Sequence, residues 1–277
     1  MRLSVRLLSL SAFLLTLGLS GCGLRHPYFA EETIEEKFAV TAEPTVSVET
    51  FHGSVEVRQG KANLVEVRLI KRAGGVDAEQ AARLLQEFVV KLEETKPNHI
   101  DISVKIAERN LTPQRGARVE LLVPAKAALN LRTSNAPITV LDVGGSLTLR
   151  TANGAIQVQG TTGTLNLSTS NSPVEITGQD ATITAESTNG TISFRGSLRE
   201  AVHTLMTRNG RIKLELPASA TFHLDAATTS GKIDCAFKLK PTKKTKDREL
   251  IGTVGDDPKT SLKLRTSNGN ISITPNE

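Results

Sequence analysis

LNLRTSNAPITV (129–140), LTLRTANGAIQV (147–158), LNLSTSNSPVEI (165–176) and ITAESTNGTISF (183–194) are copies of one pattern, repeated every 18 residues. The turn asparagines Asn135, Asn153, Asn171 and Asn189 mark the period. Looser copies follow as MTRNGRIKL around Asn209, ATTSGKIDC around Ser230 and LRTSNGNISI around Asn268. An early one, VETFHGSVEV, centres on His52.

Two places before each turn residue stands a hydroxyl: Thr50, Thr133, Thr151, Thr169, Ser187, Thr207, Thr228 or Thr266. Three places after it stands Val or Ile. Apolar side chains at every second position mark half-buried strands. Asn-Gly tolerates φ > 0 and lets the chain reverse. Two architectures satisfy this pattern. Asn-Gly between alternating strands is a hairpin signal, so antiparallel hairpins in a stack are one. A β-solenoid or β-roll is the other, and identical register every 18 residues favours it, because each coil sets the same side chain about 4.8 Å above its predecessor. The Thr and Asn columns then become ladders, with side chains free to bond turn backbone groups. Asn135, Asn153, Asn171, Asn189, Asn209 and Asn268 are expected to form such a ladder. Its first role is structural, and it also offers a flat polar binding face. Identical groups in a row do not supply an acid and a base.

Residues 1–21 carry the marks of an export signal: Arg2 and Arg6, then an apolar run from Leu7 to Leu19. Leu19-Ser20-Gly21-Cys22 resembles the bacterial lipoprotein signal box, which implies cleavage before Cys22 and lipid on its sulfur and amino end. Several acyl chains anchor durably where one does not. Gly23 stands where inner-membrane retention signals carry Asp, so the resemblance implies the outer membrane of a Gram-negative envelope. Residues 22–33 read as a lipidated tether. Nothing beyond the N-terminus is apolar for long enough to span a bilayer as a helix. Aromatics are scarce, with eight Phe, one Tyr and no Trp, which argues against nucleic-acid stacking platforms and aromatic sugar clamps. The only other cysteine, Cys235, falls in an inward column and reads as a small buried hydrophobe.

From residue 34 to 116 we expect a small α+β cap for one end of the solenoid, whose open edge would otherwise invite aggregation. Alternation returns in VSVETFHGSVEV and LVEVRLI, and Asp77 with Gln80 forms a capping-box signal. Ala81, Leu84, Leu85 and Phe88 then share a helical face. Past Glu87 the alternation of Phe88, Val90 and Leu92 predicts a strand, and Lys96-Pro-Asn-His99 a turn. The repeat solenoid is expected over residues 117–277. The order of these features, with VELLVP (119–124) ahead of repeated T-x-N-G-x-I-x-V turns, resembles the bacterial DUF4097 "putative adhesin" family. That resemblance spans about 34–274 and implies a mainly-β, solenoid-like fold and a non-catalytic, adhesin-like role.

A polar insertion at 238–259 carries Lys238, Lys240, Lys243, Lys244, Lys246 and Arg248. It reads as a solvated loop, or as a contact for anionic lipid or lipopolysaccharide through Lys240, Lys243, Lys244 and Lys246. No HExxH, paired CxxC, GxSxG or phosphate-loop motif is present, so no metal or cofactor is expected. His203 occupies an inward column and reads as a satisfied core residue. A polysaccharide-active enzyme would need two carboxylates converging on one face. Asp142, Glu175, Asp180 and Glu186 fall at different coil positions. The reading is therefore a lipid-anchored envelope module that binds a glycan, a surface or another envelope protein, without nucleic acid. Self-association through solenoid ends and polysaccharide catalysis are its alternatives.

Overall fold

The 18-residue period is realised as parallel stacking. The computed structural model describes residues 28–41, 43–106, 115–242 and 248–276. In it Leu129 pairs with Leu147, and Leu147 with Leu165. Beyond the turn Ile138 pairs with Ile156, Ile156 with Val174, and Val174 with Ile192. Neighbours run parallel and are offset by one whole repeat, so the repeat is a solenoid and not a stack of hairpins. Each coil contributes one strand before its turn and one after it. The two resulting sheets face each other across a core of Leu, Ile and Val.

The strands of the first half are β1 (Tyr28–Ala39), β2 (Thr45–Glu49), β3 (Val55–Gln59), β4 (Leu64–Gly75), β5 (Phe88–Lys96), β6 (His99–Ile106) and β7 (Arg115–Val123). The helix α1 (Ala78–Gln86) lies between β4 and β5. The regular coils use β8 (Ala128–Arg132), β9 (Ile138–Leu141), β10 (Leu147–Arg150), β11 (Ile156–Thr169), β12 (Val174–Ser187) and β13 (Ile192–Leu198). The last part contains β14 (Val202–Thr207), β15 (Ile212–Pro217), β16 (Phe222–Thr228), β17 (Ile233–Cys235), β18 (Leu239–Pro241), β19 (Glu249–Val254), β20 (Ser261–Thr266) and β21 (Ile271–Asn276).

Residues 34–116 do not stand apart from the repeat as a cap. β2 lies in parallel between β6 and β8, and β3 between β7 and β9. This region therefore supplies two coils of its own, and the boundary expected at 116/117 falls inside β7. Only β1, β4, β5 and α1 close the end. β4 runs antiparallel to β7, β1 to β4, and β5 to β6. Reversing direction at the end lets an outermost strand pair without needing a further coil. The helix starts as expected: the Asp77 carboxylate accepts the Gln80 N–H at 2.7 Å, and Gln80 Oε1 accepts the Val76 N–H at 2.7 Å. Its buried residues are Ala81, Leu84 and Leu85.

At the other end, chain order and stacking order part company. β20 inserts between β14 and β16, and β21 between β15 and β17. The coil of Asn268 thus sits between those of Asn209 and Ser230. β19 then turns back antiparallel on β16 and pairs with β18, closing this end, where Phe237 packs edge-on against Phe222 at 5.4 Å.

Candidate functional site

The turn edge of the solenoid is built from two ladders. The inner one is the hydroxyl column, whose threonines are all buried. Thr133 Oγ1 donates to the Gly53 carbonyl, Thr151 to Ala136, Thr169 to Gly154, Thr207 to Gly190, Thr266 to Gly210 and Thr228 to Gly269, at 2.9–3.2 Å. Each hydroxyl therefore ties its coil to the next turn along the stack. Some also accept from their own turn: Gly154 N–H donates to Thr151 Oγ1 and Gly190 N–H to Ser187 Oγ. Threonine suits the site because a short branched side chain fills an inward position and still bridges two turns.

The outer ladder is of asparagine. Asn153 Nδ2 donates to Asn135 Oδ1, Asn171 to Asn153, Asn189 to Asn171, Asn209 to Asn189 and Asn268 to Asn209, all at 2.6–2.7 Å. The amides bond each other rather than the turn backbone. Aligned in this way they polarise one another. All six are exposed, and each retains a second N–H for solvent or a ligand. His52 stands in the turn slot at one end of the ladder and Ser230 at the other. Neither carries an amide, so each ends the column.

The glycine after the turn asparagine is required for a different reason from the one its dipeptide suggests. None of these turn residues has positive φ. A Cβ on Gly154 would lie 1.8 Å from the Ala136 carbonyl oxygen, and one on Gly269 would lie 1.8 Å from that of Gly210. Stacked turns approach too closely for a side chain there.

Flanking the ladder on the pre-turn sheet, Asn130, Thr148, Asn166, Thr184 and Thr204 point outward in one register. They make a row of uncharged polar groups at strand spacing, and between it and the ladder the same face carries the row of Arg132, Arg150, Ser168, Glu186 and Met206. The four carboxylates weighed for catalysis are not brought together. Glu175 lies on the outer face of the post-turn sheet, where Gln157 Nε2 donates to it at 3.4 Å. Glu186 lies on the opposite sheet. Asp142 and Asp180 occupy corners away from the turn edge with φ of 59° and 49°. Among the described residues, no three His, Cys, Asp or Glu side chains converge on a metal-sized space.

His203 is fully buried. Nδ1 accepts the Ile183 N–H at 3.2 Å and Nε2 donates to the Arg199 carbonyl at 2.9 Å. Asn189 and Asn209 are two residues further apart than the period, and the pairing of β12 with β14 starts only at Thr184–Thr204. The imidazole thus takes over the bond that a regular coil would offer Ile183. Burial pushes its pKa below the usual value. Cys235 is half-buried rather than buried, because β17 pairs with β21 on one side and no further strand among those described covers its other edge. Partial burial raises its thiol pKa. Lys240 is paired with Asp256 at 2.7 Å on the surface, and this bond draws the Asp256 carboxyl below its ordinary range. Lys243, Lys244, Lys246 and Cys22 lie outside the described residues.

Two facing parallel sheets, joined at an edge of hydroxyl and amide ladders, define a β-solenoid protein. The family described as Toastrack DUF4097 matches residues 42–274, and the chain belongs to it. No curated protein matches the sequence. Solved structures similar to it include a "putative adhesin" from Parabacteroides merdae, at 13% identity and a TM-score of 0.40, covering 87% of this chain and 95% of that one. A "putative cell adhesion protein" from Clostridium sporogenes is similar at 11% identity and a TM-score of 0.34, covering 88% and 100%. A "putative lipid binding protein" from Parabacteroides distasonis is similar at 10% identity and a TM-score of 0.31, covering 88% and 94%.

Proposed function

We propose that this chain is a cell-envelope protein, held on the outer membrane by lipid on Cys22, whose solenoid is a rigid, non-catalytic binding or scaffolding module. The observation that carries the reading is the unbroken asparagine ladder. Six exposed amides from separated segments are held in line, each with a donor to spare, beside a polar sheet face whose outward rows mix Asn and Thr with Arg132, Arg150 and Glu186. Such an array presents one repeated donor pattern at the strand spacing, which suits an extended partner with its own short repeat, such as a glycan chain, better than a compact small molecule.

The test is binding of the purified full chain to a panel of neutral and acidic polysaccharides and to envelope extracts. The comparison is Asn166→Lys combined with Thr184→Lys, two outward positions that the fold does not use. A ligand retained by the natural chain and lost by the double variant supports the reading. Turnover of a polysaccharide, abolished by Glu175→Gln, would replace it with an enzyme. Binding that persists in the double variant but disappears at high salt would move the site to the basic insertion with Lys240, Lys243, Lys244 and Lys246.

A further inference from the structure

We infer that the tip formed by Tyr28, Phe29 and Val76 seats in the headgroup region of the bilayer that carries the lipid anchor, and so fixes which end of the solenoid faces the membrane. The inference rests on the proposed lipidation of Cys22. Tyr28 is six residue steps from Cys22, a reach of about 20 Å at full extension. The first described residue of the fold is therefore held within that distance of the membrane surface.

What stands there is apolar and exposed. Tyr28 is 50% exposed, Phe29 37% and Val76 68%. Their pairing explains the exposure. Tyr28 lies opposite Gly75 and Phe29 opposite Gly74, so neither ring has a directly opposed side chain, and as strand neighbours the two rings leave the β1–β4 end on opposite faces. Tyr28 is the only tyrosine of a chain with no tryptophan, and it occurs where the tether meets the fold. Rings with an apolar body and a polar rim partition to membrane interfaces. Arg72 lies over the Phe29 ring at 3.9 Å from its centroid and is also paired with Glu31. With Asp77 and Glu79 close by, the tip carries no positive excess, so its contact is apolar and insensitive to salt. So small a patch would bind weakly alone, but a short tether keeps its effective concentration high. Ten inter-strand steps separate β1 from β17, roughly 48 Å of stack. The strands β18 and β19 lie at that far end, away from the anchoring bilayer.

Because Tyr28 is the sole tyrosine, its emission reports the tip directly. The full chain, purified from membranes and reconstituted with phosphatidylcholine vesicles, is floated on a gradient and then probed with brominated phosphatidylcholine and with aqueous iodide. The expected result is flotation, loss of most Tyr28 emission to the brominated lipid, protection from iodide, and no change on raising salt. Phe29→Ser with Val76→Ser should weaken lipid quenching while flotation persists. A chain that floats but whose Tyr28 is quenched by iodide and not by lipid overturns the tip and leaves the anchor standing. Protection from both quenchers overturns it in favour of a protein cover. If Cys22→Ser floats as the natural chain does, the anchor fails, and the tether argument with it.

Discussion

At the scale of single residues, the stability of the turn edge depends on groups that no apolar side chain of the same shape can replace. Thr151 Oγ1 donates to the Ala136 carbonyl and accepts from Gly154 N–H in a buried setting. In Thr151→Val the methyl fills the space but both backbone groups lose their partner. A loss on the order of 2 kcal/mol is expected in denaturant unfolding. Thr139→Val, on the outer face of the post-turn sheet, should change stability by less than about 0.5 kcal/mol. Equal effects would show that the hydroxyl column acts only by filling space. The buried imidazole adds a pH dependence. His203 has its pKa pushed below 6.5, mainly by burial, while the unfolded chain takes up a proton near that ordinary value. Between the two values the unfolded state holds more protons, so stability is full above about pH 6.5 and falls as pH drops through the window below it. His52 is shifted in the same direction by its partial burial and adds to the slope. His203→Gln should flatten the dependence between about pH 5 and 7, measured as unfolding free energy at each pH. An unchanged slope would place the titration elsewhere.

Among the elements, α1 was the most legible. Asp77, Gln80 and the spacing of Ala81, Leu84 and Leu85 announce both its start and its buried face, and the structure uses each as expected. Asp77→Ala should cost about 1 kcal/mol, because the Gln80 N–H of the first turn loses the carboxylate that accepts it. Hydrogen exchange confined to Ala78–Gln86 would locate that loss, and protection unchanged there would mean that packing alone holds the helix. The strands were legible in type but not in partnership. β2 and β8 show the same alternation, and so do β6 and β10, so nothing local tells which is neighbour to which. The Asn-Gly turns were read correctly as turns but for the wrong cause. Their glycines answer the approach of the adjacent coil, a contact between residues 15 or more positions apart, and not the dihedral angles of the turn itself.

At the scale of the whole molecule, the two ends are tied by strands out of chain order. β2 and β3 are enclosed by later strands at one end, and β20 and β21 are enclosed by earlier ones at the other. A chain ending at Lys259 tests this arrangement. If coils stacked in chain order, it would lose only its last coil. Because β20 separates β14 from β16, the truncation should strip hydrogen-exchange protection from Phe222–Thr228 as well, since β16 loses its parallel partner. Retention of that protection would show that β16 can stack directly on β14. Enclosing β21, the last described strand, between β15 and β17 also keeps that strand from forming an open edge.

The sequence by itself determined the coil: its 18-residue length, the inward Leu, Ile and Val columns, the buried hydroxyl beside each turn, and the asparagine column outside it. Those features are local, since alternation and turn chemistry act within one repeat, and the repeat imposes the same register on every copy. Only the tertiary structure decided the order of the coils. Each coil offers nearly the same edge to its neighbours, so the local pattern suits several orders equally well, and the choice falls to connection lengths and to the ends of the column. Two signals for it were present in His52 and Ser230, the turns that carry no amide and therefore end the ladder. Their meaning appears only once Asn268 is seen donating to Asn209, across 59 residues of chain.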